Sequence, residues 1–153
     1  MKCSVMRLSA IFLFALSPQI SKAAIPDPTL TPGVLCTKND PDFDSLAYSE
    51  QIPKCTRNVN ESEKQEVADN YGNIPRDDWK NYEFDHLIPL CAGGSNNISN
   101  LWPQPLDEAH DKDKVEVEVC QGLREGTMTQ REALDKIHQW IQSESADKTR
   151  HLQ

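Results

Sequence analysis

Hydrophobic and polar positions alternate in short blocks along most of this chain, and the blocks change character several times. Leu8 to Leu16 are nearly all apolar, and from Ala24 to Pro53 the prolines at 26, 28, 32, 41 and 53 interrupt the chain with little periodicity. That pattern predicts a mostly irregular arm over residues 24–53. Asn60 followed by Glu63 resembles a capping box, and Val67 with Tyr71 makes an i, i+4 apolar stripe before Gly72, which predicts a short helix over about 61–71. Residues 82–90, Tyr-Glu-Phe-Asp-His-Leu-Ile-Pro-Leu, are β-prone and lead into the turn residues Gly93, Gly94, Ser95 and Asn96. Ile98 to Trp102 predicts a second short strand stopped by Pro103 and Pro105, the two strands forming a hairpin with a long connection. Asp107 is placed to cap a helix that runs to about Cys120 and ends at Gly122. Thr129 with Glu132 opens a last helix whose Leu134, Ile137, Trp140 and Ile141 face a core, and the polar tail 144–153 is expected to fray. The expected class is α+β: a small hairpin plus helix embedded in a mostly helical, disulfide-stapled domain.

Length and composition narrow this picture. At 153 residues, 37% of them hydrophobic and ten of them proline, the chain suits one compact domain with a small core. It has no apolar run of the roughly 18 residues a membrane-spanning helix needs. Lys2 and Arg7, the apolar stretch, and the small-residue end at Ala23 follow the order of a secretory signal over residues 1–23, so a secreted or periplasmic monomer is expected. Loss of Lys2, Arg7 and Lys22, with all 24 acidic residues retained, would move the formal charge from −8 to −11. Such a charge disfavours non-specific docking on nucleic acid or anionic lipid. Cys36, Cys55, Cys91 and Cys120 form an even set for an oxidising compartment, with three connectivities open. Spacing favours Cys36 with Cys55 and Cys91 with Cys120, and the lack of a C-x-x-C pair disfavours structural zinc.

The chemistry concentrates between residues 85 and 116. Hydrolysis of a phosphodiester needs an activated water, an electrophile on the phosphate oxygens, and stabilisation of the departing 3′ oxygen. His86 can take a proton from water near neutral pH, and Asp85 can bind a divalent cation. Asn100 on the returning strand can orient the His86 loop or complete a metal shell, and His110 stands near the start of the following helix. Gly93 and Gly94 read as a turn, and Trp102 as a core anchor under the hairpin. Arg57, Lys112, Lys114 and Arg124 are the cations available to meet phosphates, although Asp111 and Asp113 interleave with the two lysines.

Residues 82–116, YEFDHLIPLCAGGSNNISNLWPQPLDEAHDKDKVE, resemble the HNH nuclease signature, also called the ββα-metal or His-Me finger, in its exported bacterial form. The parts that carry the likeness are D-H-L-I-P-L, G-G-S-N, N-L-W-P-Q and K-D-x-x-E, with Leu35 to Asp44 and Cys55 to Val59 extending it upstream. The resemblance implies a nuclease-like domain over 54–143 with its motif core at 82–120. It implies His86 as general base, Asp85 as first metal ligand, Asn100 as the central asparagine and His110 as the helix histidine, with Asp113 or Glu116 as alternative ligands. It further implies one divalent cation, magnesium or manganese, and hydrolysis of DNA, with RNA as the other polymer, to products bearing 5′ phosphates. Two rivals remain beside this expectation: a disulfide-stapled binding module without catalysis, which suits the acidic surface, and a hydrolase of small phosphodiesters.

Overall fold

The computed structural model describes residues 25–151. The expected signal segment, 1–23, lies outside the described residues. Among the described residues, four strands form two separate two-stranded antiparallel sheets, and three α-helices complete an α+β fold. No helix among the described residues is long and apolar enough to cross a membrane.

The segment expected to be an irregular arm instead ends in a hairpin. Strand β1 (Phe43–Ala47) pairs with β2 (Ile52–Cys55), with a register shift between Phe43 and Ser45. The turn between them places Tyr48 and Gln51 at φ of 59° and 57°, in the left-handed region. The apolar signal was too thin to read because only Ile52 and Cys55 of β2 are buried. A disulfide joins Cys36 to Cys55, and a second joins Cys91 to Cys120, the pairing that spacing favours. Closing loops of 19 and 29 residues, each bond contributes about 3 kcal/mol in the chain-entropy treatment. The proline-rich segment runs beside the loop after the second hairpin's first strand. Cys36 N–H donates to the Gly93 carbonyl at 2.8 Å, and Ser95 N–H to the Val34 carbonyl at 3.0 Å.

Helix α1 (Glu61–Asn70) begins with the predicted capping box. Asn60 Oδ1 accepts from the Ser62 and Glu63 amides, and Glu63 returns a carboxylate to the Asn60 amide at 2.7 Å. Its Val67 and Ala68 pack with Phe84 and Leu101, so α1 covers one face of the second sheet. That sheet pairs β3 (Tyr82–His86) with β4 (Leu101–Pro105), in a register that sets Asp85 opposite Trp102 and His86 opposite Leu101. Pro103 and Pro105 therefore lie inside the strand and do not stop it. Leu106 N–H points at the Asn81 carbonyl, so by alternation the two prolines turn their missing donors to the unpaired edge.

Helix α2 (Ala109–Glu125) follows directly, giving the order strand, strand, helix. It passes through Gly122, the expected stop, and ends at Gly126 with φ 68°. Gly122 is needed inside the helix for packing: a Cβ there would lie 2.8 Å from Met128 Cβ. Helix α3 (Gln130–His151) opens on the predicted Thr129–Glu132 box and continues through the expected polar tail. Hydroxyls of Ser143, Ser145 and Thr149 bond back to carbonyls one turn earlier along that stretch. Ala133 joins Val119 and Leu123 in one core cluster, and Ile137 and Trp140 join Leu87 and Trp102 in another, so α2 and α3 close the opposite face of the β3–β4 sheet.

Candidate functional site

Alternation along β3 sends Phe84 and His86 to the α1 face and Asp85 to the α2 face. The Asp-His pair thus feeds two adjoining networks.

His86 is 1% exposed, and both ring nitrogens are engaged. Nε2 lies 3.0 Å from Asn96 Oδ1, and Nδ1 lies 3.0 Å from Arg57 Nη1. A guanidinium has only donors, so Nδ1 carries the lone pair. The other side gives the same answer: the Asn96 amide nitrogen donates to the Asp42 carboxylate at 2.9 Å and to the Thr56 carbonyl at 2.8 Å. Its oxygen must then face His86, and Nε2 must carry the hydrogen. Two independent constraints select one neutral tautomer. Desolvation by burial is the largest influence and pushes the His86 pKa below its ordinary 6.5. The Arg57 charge pushes the same way, against the Asn96 bond and the Asp85 charge. Asp42 itself is held below the usual carboxylate range by the amides of Asn58 and Asn96.

The loop between the two strands sets this geometry. Gly93 takes φ 87°, and a Cβ on Gly94 would fall 1.8 Å from the Ile88 carbonyl oxygen, so no side chain fits there. Asn100 is fully buried and spent on that loop. Its Oδ1 accepts from Ile88 N–H at 2.9 Å, and its Nδ2 donates to the carbonyls of Ile88 at 3.1 Å and Ser95 at 2.9 Å. Of the two roles read for it, the observed bonds are those of loop orientation, and its oxygen is not directed at Asp85. Truncating it would leave three buried backbone groups unpaired. Asn100→Ala should lower unfolding free energy by about 3 kcal/mol in a urea titration, with loss of any activity following from the displaced loop.

On the other face, Asp85 meets helix α2. The Lys112 ammonium lies between the carboxylates of Asp85 and Glu116, at 2.9 Å from the latter, with only 3% of the lysine side chain exposed. Lys112 and Glu116 are one turn apart and lie on the side of α2 that also buries Ala109 and Val119. The expected phosphate contact through Lys112 is therefore not its observed role, because its charge is directed inward at two carboxylates. Burial alone would lower the Lys112 pKa, but the two carboxylates outweigh it and the net displacement is upward. Lys114 is exposed and pairs with Asp111 at 2.7 Å.

His110 is exposed and about 200° around the helix from Lys112, so it turns away from Asp85. Asp113 is exposed as well. The set Asp85, Asn100 and His110 consequently does not converge on one point. The only close trio of His, Cys or acidic donors among the described residues is Cys36, Asp40 and Cys55, whose sulfurs are bonded to each other and have no thiolate to offer. What does converge is the pair Asp85 and Glu116, the latter an alternative ligand in the sequence reading. Two carboxylates aimed at one cationic atom are the donor chemistry a hard divalent ion requires. They are the residues that would hold one, and Lys112 is the side chain it would displace.

Asp42 and Asn96 were not singled out from the sequence as site residues. Asn96 stood in the G-G-S-N run as a turn residue, and nothing local distinguishes Asp42 from its acidic neighbours. Only the fold, which brings them to within hydrogen-bond range over 54 residues of chain, reveals the relay from Asp42 through Asn96 to His86.

No family model, curated protein or solved structure matches this chain.

Proposed function

We propose that the protein is an endonuclease of the HNH, or ββα-metal, type that hydrolyses phosphodiester bonds of DNA, with RNA as the other polymer. The observation that supports this reading best is the constraint of His86 as a neutral imidazole, its Nδ1 lone pair turned towards a cation. It sits at the end of the first strand of a hairpin that runs straight into a helix. The Asn96 amide, held by the Asp42 carboxylate, fixes the tautomer in which Nδ1 is the proton acceptor that a general base requires.

In the proposed reaction His86 Nδ1 takes a proton from water, and the hydroxide oxygen attacks phosphorus in line. The bond from phosphorus to the 3′ oxygen breaks, and that oxygen leaves to be protonated by solvent, so the product keeps a 5′ phosphate. Asn96 orients the ring and, with Asp42 behind it, favours the imidazolium that forms. Arg57 supplies positive charge beside the phosphate oxygens. Asp85 and Glu116 are the residues that would hold a magnesium or manganese ion, and the chemistry it would supply is charge stabilisation for a phosphodiester.

The net charge of −8 favours the rival binding-module reading. Incubating the oxidised protein with supercoiled plasmid at low salt, with magnesium, manganese or chelator, separates the two. Nicking that requires a divalent ion is expected. A folded protein that leaves plasmid, single-stranded DNA and RNA intact under every condition overturns the nuclease reading.

A further inference from the structure

Arg57 connects the His86 network to the outside of the molecule. Its two hydrogen bonds go to neutral acceptors, Nδ1 of His86 at 3.0 Å and the Phe84 carbonyl at 2.8 Å. The guanidinium also lines a cleft of about 450 Å³ together with Lys64, Lys80, Tyr82, Leu106 and one carboxylate, Glu83. Lys64 is held 2.8 Å from Glu61, but the Lys80 ammonium makes no hydrogen bond or ion pair to any described residue. Two cations that form no ion pair with a described residue thus share one cleft with the single carboxylate of Glu83, whose charge interacts with that of Arg57, in a chain of net charge −8. A cavity of this size lies in the range that encloses a small ligand and is too small for a duplex. Leu106, 51% exposed, and Tyr82 give it an apolar wall beside the charges.

We propose that this cleft receives a phosphodiester of a single nucleic-acid strand, and that the arriving phosphate draws Arg57 off His86, baring Nδ1 only when substrate is present. The proposal rests on the reading of His86 as general base. While Arg57 donates to Nδ1, the lone pair is occupied and cannot accept a proton from water. A phosphate offers the guanidinium fork two charged acceptors in place of one neutral nitrogen and one carbonyl, and charge-assisted bonds are roughly twice as strong as neutral ones. Lys80 holds the same strand, and the wall of Tyr82 and Leu106 accepts a base against it. Base-to-base selectivity is not built in, because the lining offers charge and apolar surface more than a fixed pattern of donors and acceptors.

The test titrates the full disulfide-bonded protein, ¹⁵N-labelled at histidine, with a short fluorescein-labelled oligothymidylate in chelator at low salt. The expected result is a shift of the His86 Nδ1 resonance that tracks saturation, with no such shift on adding chloride to the same ionic strength. Lys80→Ala, an exposed change, should weaken binding several-fold and make the slope of log affinity against log salt shallower by about 0.7. Binding that leaves the Nδ1 resonance unmoved, or that is undiminished in Lys80→Ala, overturns the proposal. Plasmid cleavage by His86→Ala keeps the two readings apart. Wild-type cleavage by that variant removes the general base itself, whereas an unmoved resonance beside an inactive His86→Ala removes only the release of Arg57.

Discussion

Cleavage by His86→Ala should fall by about 10² to 10⁴-fold, with both disulfides formed and the far-ultraviolet spectrum of the folded chain retained. The magnitude is that of losing a positioned general base, and the specific cause is the fixed tautomer: no other described side chain presents an unprotonated nitrogen held by Asn96 on one side and Arg57 on the other. The pH dependence carries a second signature. Burial keeps His86 neutral below the ordinary 6.5, so the acid limb of the rate profile should lie below that pH. The same displacement links to stability with a definite sign. As pH falls through 6.5 the unfolded chain takes up a proton at this position while the folded chain does not, so stability drops with falling pH until folded His86 also protonates. Urea titrations at stepped pH should show this decline in the wild type and a smaller one in the variant. A variant that cleaves plasmid as the wild type does removes His86 from the mechanism.

Local signals carried much of the architecture. Capping boxes at Asn60 and Thr129 marked two helix starts because their residues satisfy the first free amides of a helix, a requirement confined to four positions in sequence. The hairpin of β3 and β4 was legible from its β-prone run and its turn residues. Pro103 and Pro105 misplaced its end, since a residue's sequence does not reveal which edge of a strand will be free. The β1–β2 hairpin escaped for a different reason: it is held by a disulfide and by the packing of Ile52 against residues far along the chain, and its own apolar pattern is slight. The candidate site divides in the same way. Asp85 and His86 were legible because they are adjacent and chemically distinctive. Their partners Asn96, Asp42, Arg57 and Lys112 come from four other places in the chain, and His110, which the motif made conspicuous, faces away because helical periodicity assigns that side of α2 to solvent.

Lys112→Met is expected to cost about 3 kcal/mol of unfolding free energy, the size of effect seen when one partner of a buried ion pair is removed. The methionine fills most of the lysine's volume, so the loss reports charge and not a cavity. In the variant Asp85, with 13% of its side chain exposed, faces Glu116 with no positive charge between them. Adding Asp85→Asn to Lys112→Met should recover a large part of the lost stability, because the uncompensated charge is then gone, and the double-variant cycle isolates the pair. The single variant also tests whether the two carboxylates form a cradle for a divalent ion. With the ammonium removed, magnesium or manganese that binds the folded form alone should raise the melting temperature in proportion to the logarithm of its concentration, and more than it does in the wild type, where Lys112 competes for the same oxygens. Calcium, with longer bonds to oxygen and more ligands to satisfy, serves as the selectivity control. A Lys112→Met protein that is destabilised as expected but indifferent to every divalent ion would place the electrophile of the proposed reaction elsewhere, leaving Asp85 and Glu116 as the counter-charges of a structural lysine.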